Sequence, residues 1–317
     1  MLGTTTASAI AVFAQSLTSL YPILIKRINT NILTHTTVRF TLFPVLALVL
    51  GIASGGFGAI GDIMNSWGKI AAILGIGALN LTHVFSSYIA FDELQAGIAM
   101  SIFYTYPFWN LLGARLFFGE RLQLWTIPLF LIALAGTYLV ASAAPEARAF
   151  KHESDSRDKA SALSTGYASD DQARSPMRGI VAALIAALTE TGLYLAVRGS
   201  TSDNPFANMI MLYLGGAALL IPALPLVKQF SQQLIDFRPE PLMQSIAFNA
   251  FIGFVGTTLM FMTARMLPVY MYSILAFVGV ATAYMWGVVF AKETPNKKAV
   301  SGAGVVLGAI GLLYYKS

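Results

Sequence analysis

Glu190 carries the clearest chemistry in this sequence. It lies twelve residues after Arg178 and eight before Arg198, inside an otherwise apolar run. On a helix rising about 1.5 Å per residue, it would sit about 12 Å from the nearer end. A charged group near the centre of a membrane helix costs about 2.5–3.5 kcal/mol on insertion scales, so it faces a cavity or a partner. Glu190, Tyr194 and Arg198 recur at every fourth position and share one helix face. Such a carboxylate could relay a proton or cation, or clamp a substrate amine. It could equally serve a structural pair within a helix bundle.

A second group surrounds His83. Asn80, His83 and Ser87 share a helix face. An imidazole there can gate, sense pH or bond to a substrate. The plainer alternative is a satisfied interhelical hydrogen bond, worth about 0.6 kcal/mol on average inside a membrane. Gln15 and Ser19 share a face of one apolar run, and Asn249, Gly253 and Thr257 share a face of another. Both sets suit a polar cavity wall, or helix packing through small and polar residues. Tyr104, Tyr106, Trp109, Tyr272, Tyr284 and Trp286 set rings along two further runs, for cation–π contact with amines or for simple packing. Arg39 lies inside its run, and facing a cavity it would favour a substrate carboxylate or phosphate. Arg115 and Arg265 sit nearer run ends, where snorkelling to headgroups suffices. The pairs Gly51–Gly55 and Gly304–Gly308 have the spacing of close helix contacts.

The chemistry that is missing narrows the class. The chain has no cysteine, which excludes disulfides and thiolate chemistry. Its histidines, at 35, 83 and 152, are scattered, so no metal site is expected, and no cofactor motif is present. Neither HExxH nor GxSxG occurs, so an intramembrane enzyme is not expected. The net charge of +5 comes from residues at run ends and in loops, which is not a nucleic-acid footprint.

The elements that must hold these residues are membrane helices. Of 317 residues, 56% are hydrophobic and 11% charged, against roughly a quarter charged in soluble domains. Ten apolar spans are expected, at 6–25, 33–52, 69–91, 96–117, 123–142, 178–198, 206–226, 243–265, 269–290 and 298–314. Each is too long and continuous for a barrel strand. Pro22 implies a kink or early end of the first span. Residues 143–177 are charged and rich in Ser and Ala, without apolar periodicity, and read as a solvated linker.

The linker separates two halves of five spans, 1–142 and 178–317. Sliding one along the other by 173 residues puts Glu120 on Glu293 and Asp92 on Arg265. Halves with an odd number of crossings lie in opposite orientations, the inverted repeat of many secondary transporters. The fold class expected is therefore an all-α integral membrane protein of ten helices in two inverted five-helix repeats.

Specific residues strengthen that view. Tyr104-Thr105-Tyr106-Pro107, followed by Leu111 through Gly119-Glu120-Arg121-Leu122, forms an apolar helix with a central Pro closed by Gly-Glu. A second copy runs from Leu267-Pro268 to Ala291-Lys292-Glu293. Lys26, and Arg39 with Phe40, also fit. On these residues the chain resembles the drug/metabolite transporter superfamily, in its ten-helix EamA-type branch. The resemblance covers nearly everything except the linker. It departs in lacking a Trp-Gly pair in the first span, and in having Val280 and Lys292 where the first half has Pro107 and Gly119. It implies alternating access without an ATP site, for amino acids, other small metabolites, nucleotide sugars or sugar phosphates.

The function expected is movement of a small organic solute around a central cavity lined by spans one, three, four, six, eight and nine. Amino acids or related amines come first, because Glu190 and the tyrosines could hold an ammonium. A nucleotide-sugar or sugar-phosphate antiporter is the alternative, and a non-transporting scaffold the third reading. The expected partners are the solute, protons, the bilayer and a second copy of the chain. Basic residues number 13 on the side reached after odd spans and six on the other, which puts both termini outside. The family resemblance implies cytoplasmic termini.

Overall fold

The computed structural model describes residues 3–94, 96–121, 123–143, 176–231, 234–290, 292 and 294–316. Nearly all of the expected linker, and Glu293, lie outside them. Every regular element among the described residues is helical. The first half holds α1 (Thr4–Thr18), α2 (Tyr21–Arg27), α3 (Ile32–Ala53), α4 (Phe57–Asp62), α5 (Trp67–Glu93), α6 (Ala96–Phe103), α7 (Tyr106–Phe118) and α8 (Thr126–Ser142). The second holds α9 (Pro176–Gly199), α10 (Pro205–Ser231), α11 (Pro239–Ala247), a π-helical turn over Phe248–Phe254, α12 (Val255–Met266), α13 (Val269–Ala276), α14 (Val278–Phe290) and α15 (Lys297–Lys316).

Local chemistry sets many of these limits. Asn31 caps α3 by accepting from the Thr34 amide at 2.8 Å, and Ser66 caps α5 through the Lys69 amide. Gly119 ends α7 with φ of 65°, a left-handed turn that glycine adopts without strain. Pro22 and Pro107 stand at the first turns of α2 and α7. A helix cannot run through them intact, since proline lacks the amide and its ring clashes with the preceding turn. The first span is accordingly broken at Ser19–Leu20 and the fourth at Tyr104–Thr105. The ninth breaks at Phe277 although Val280 stands where the first half has proline.

Eight segments among the described residues are long and apolar enough to cross a membrane, against ten expected. Two fall short for different reasons. Thr126–Ser142 has only 17 residues, because its helix starts three residues later than the apolar run. Span 96–117 is split and carries Tyr104, Thr105, Tyr106, Pro107 and Asn110, which lower its mean hydropathy. The all-α membrane class stands; the count of ten does not follow from length and hydropathy alone.

Element limits repeat along the chain. Sliding by 173 residues carries the start of α3 at Ile32 onto that of α10 at Pro205, the end of α5 at Glu93 onto that of α12 at Met266, and the start of α6 at Ala96 onto that of α13 at Val269. Packing repeats too. α5 packs closely on α9, and the corresponding α12 packs on α1; α3 pairs with its own counterpart α10, and α8 lies along α15.

Polarity is distributed inside out relative to a soluble protein. Val49, Leu116, Phe117, Leu131, Leu188 and Phe251 are exposed, while Gln15, Arg39, Asn80, His83, Asn110, Glu190 and Asn249 are buried. An apolar outer surface fits lipid, and buried polar groups in such a chain mark a pathway or a bundle interior. The glycine spacing pointed to a close helix contact only at Gly51, where a Cβ would meet Phe206 of α10 at 3.3 Å. Gly304 and Gly308 face open space, and Gly55 ends α3 with φ of 75°. The backbones meet instead at Gly136 against Gly302, and at Gly77 against Gly215 and Gly216. A Cβ at Gly77 would overlap the α10 backbone, which cannot swing aside as a side chain can. Gly77→Val is therefore expected to destabilise by about 1–3 kcal/mol through overpacking. A thermal melt of the detergent-solubilised protein measures this, with Gly75→Ala, whose Cβ meets nothing within 4 Å, staying at the parental Tm.

Candidate functional site

A buried polar cavity lies among the broken helices. It is lined by Gln15, Thr18 and Tyr21 from α1–α2, Arg39 from α3, and Asn80, His83, Ser87 and Tyr88 from α5. Tyr104 closes one side, Glu190 of α9 and Tyr213 of α10 another, and Thr257 with Phe261 of α12 a third. The wall thus draws on spans two and seven, which were not expected, and not on span nine. Two facts account for the difference. Arg39 is long enough to reach inward from α3, where Tyr213 meets it. Gly279 of α14 packs directly against the Tyr104 ring, so Tyr104 screens span nine from the cavity.

Arg39 is buried, with 4% of its surface exposed. Its Nε and one terminal nitrogen donate to the Tyr213 hydroxyl at 3.1 and 2.7 Å. It also donates to Tyr88 at 3.3 Å and to Thr257 Oγ1 at 3.1 Å. The guanidinium carbon stands 4.7 Å from the Phe43 ring centroid and 5.2 Å from that of Tyr21, within cation–π range. No carboxylate among the described residues lies within ion-pair distance of it. This cation is held by hydroxyls and rings, not by an anion.

Glu190 and His83 form a pair. Glu190 Oε2 lies 3.3 Å from His83 Nε2, and His83 Nδ1 lies 3.0 Å from the Ala186 carbonyl. A carbonyl only accepts, so Nδ1 carries a hydrogen and donates. One further proton then fits between Nε2 and Oε2. It makes either imidazolium with carboxylate or imidazole with carboxylic acid, and the pair is neutral in both forms. Losing that proton leaves a net charge of −1. The other oxygen, Oε1, is buried without a hydrogen-bond partner.

Gln15 ties the aromatic side together. Its Oε1 accepts from Tyr104 at 3.0 Å, and its amide donates to Tyr106 at 3.0 Å and Tyr272 at 3.5 Å. Asn80 donates to the Leu212 carbonyl at 2.8 Å, and its oxygen is buried without a partner at the cavity wall.

Six of the eight residues singled out in the sequence therefore meet at one cavity: Gln15, Arg39, Asn80, His83, Tyr104 and Glu190. The other two stand behind it. Tyr194 stacks on Tyr272 with ring centroids 5.2 Å apart. Asn249, on the π-helical turn, donates to the Ser245 carbonyl at 2.9 Å and accepts from Tyr88 at 3.5 Å, so it backs a residue that holds Arg39. Sequence reasoning passed over Tyr21, Tyr88 and Tyr213. Each is a tyrosine inside an apolar span, whose hydroxyl needs a polar partner there, and that was the signal that could have found them. At the helix ends, Glu120 pairs with Arg198 at 2.5 Å, and Arg265 with Asp203 at 2.6 Å. Among the described residues no cluster of ligating side chains could hold a metal ion.

The helices and their buried polar cavity define an integral, multi-pass membrane protein. Residues 177–315, somewhat under half of the chain, match the model of the EamA-like transporter family, in line with the resemblance read from the sequence. Members of that family are membrane transporters. A protein of known crystal structure shares the fold over nearly the whole length, with a TM-score of 0.67 at 18% identity, covering 98% of this chain and 99% of that one. No curated protein matches the chain.

Proposed function

We propose that this chain is a secondary carrier for small zwitterionic solutes of the amino-acid type, working by alternating access and coupled to protons. The single observation that carries this reading is the cavity's charge inventory: one buried guanidinium without an anion, and one carboxylate–imidazole pair that holds a single exchangeable proton. A solute carboxylate would take the place opposite Arg39. Its ammonium would face Glu190 Oε1, the Asn80 oxygen and the rings of Phe103 and Tyr104.

The moving parts proposed are the two halves, 1–142 and 178–317, joined by the linker at 143–177. The element limits and helix pairings that repeat at 173 residues support this division. Each half brings a share of the site: Gln15, Arg39, His83 and Tyr104 from the first, Glu190, Tyr213 and Thr257 from the second. Rocking one half on the other would open the cavity to either face. The nucleotide-sugar alternative is less well supported, since Arg39 is the one Lys or Arg on the cavity wall among the described residues. Two phosphates would be left with a single fixed cation.

Ligand-induced stabilisation tests the substrate class. The purified protein is melted with amino acids, simple amines, monocarboxylates, sugar phosphates and nucleotide sugars. A ligand at 100 times its Kd stabilises by about 2.7 kcal/mol, a readable rise in Tm. Zwitterions should raise Tm more than amines or monocarboxylates alone. Stabilisation only by phosphorylated solutes would overturn the reading.

A further inference from the structure

Two basic side chains, one from each half, make the same bond at opposite ends of the cavity. Lys26, at the end of α2, donates through Nζ to the Leu94 carbonyl. Arg198, at the end of α9, donates to the carbonyls of Leu267 at 3.1 Å and Ala264 at 2.6 Å. The 173-residue slide carries Leu94 onto Leu267, and puts Lys26 one residue from Arg198. The acceptors match in conformation. Leu94 closes α5 with φ −104° and ψ 157°, and Leu267 closes α12 with φ −102° and ψ 146°. Each keeps its own amide bonded four residues back, Leu94 to Ala90 at 2.9 Å and Leu267 to Thr263 at 3.0 Å.

The bond is chemically apt. The last carbonyls of a helix lack intrahelical partners, and the helix end carries partial negative charge, so a cation there is favoured twice over. Its position matters more. The Lys26 bond ties α2 to α5, just beyond the cavity residues Tyr21 and Phe91. The Arg198 bond ties α9 to α12, just beyond Leu193 and Phe261. The four tied helices supply most of the cavity wall, and with both ties made nearly every side chain of that wall is buried.

We infer that Lys26 and Arg198 are paired latches: each holds one mouth of the cavity shut, and opening toward a face requires releasing that face's latch while the other stays closed. The inference rests on the two-half, alternating-access reading. It concerns the mouths and not the substrate, so the two can fail separately.

The absence of cysteine allows a clean test. Val84→Cys places a single thiol on the cavity wall, and a membrane-impermeant maleimide is applied from either side of vesicles with known protein orientation. No substrate is present, so a wrong substrate class leaves the result untouched. Lys26→Met should raise labelling from the Lys26 side by about tenfold, the worth of one charge-assisted hydrogen bond, and lower it from the other side. Arg198→Met, which also loses the Glu120 ion pair, should do the reverse by at least as much. Lys26→Arg, which keeps a charged donor, should label like the parent. Shifts in the same direction for both Met variants would mean general loosening and would overturn the latches, as would no shift in either.

Discussion

Glu190→Gln should abolish proton-driven accumulation while sparing exchange of solute already inside vesicles. Glutamine keeps the shape and can still bond to His83 Nε2 across the 3.3 Å gap. It has no ionisable proton. His83 alone does not restore the site, because Nδ1 stays committed to Ala186 and the carboxylate that stabilises a second ring proton is gone. Removing one member of a buried charged pair costs about 2–5 kcal/mol, so gradient-driven uptake should fall by at least about thirtyfold. The measurement is initial uptake into proteoliposomes with and without an inward proton gradient. Undiminished gradient dependence in the variant would move the proton site elsewhere.

Arg39→Met should be the most damaging change for solutes that carry a carboxylate. The guanidinium is held by Tyr213, Tyr88 and Thr257, which fix its plane, so a bound carboxylate would meet a cation already oriented. Losing it should weaken binding of zwitterions by at least about thirtyfold, the lower end of the cost of a broken buried charge contact. Amines without a carboxylate should lose little. Arg39→Lys keeps the charge but not the fork, and a compact ammonium cannot reach all three hydroxyls at once. It should fall between parent and Met. Isothermal titration with matched amino acid and amine pairs separates these outcomes, and equal losses for both ligands would argue that Arg39 serves folding alone.

The membrane class was legible in the sequence because apolar runs of about 20 residues seldom arise except to cross a bilayer. The site was partly legible for a related reason. A charge or amide inside such a run must find a partner, which singled out Glu190, His83, Asn80, Gln15 and Arg39 one at a time. Which of them meet was not legible. His83 and Glu190 lie in different halves, and nothing in local spacing pairs them. Tyr194 shows the limit of the helical-face rule. It shares a face with Glu190, yet one turn further on the cavity has ended and the ring finds Tyr272 instead. Tyr213 was passed over because tyrosines are also common at membrane interfaces, although its place well inside the span at 206–226 set it apart from them. The glycine pair at 304 and 308 misled because the spacing marks a smooth helix face without saying whether a neighbour uses it.

The most direct test of the central claim is uptake of labelled amino acids by proteoliposomes of the unmodified protein, with and without an inward proton gradient. The charge inventory of the cavity predicts saturable uptake that the gradient accelerates. Gradient-independent exchange of phosphorylated solutes, with no flux of any zwitterion, would contradict it.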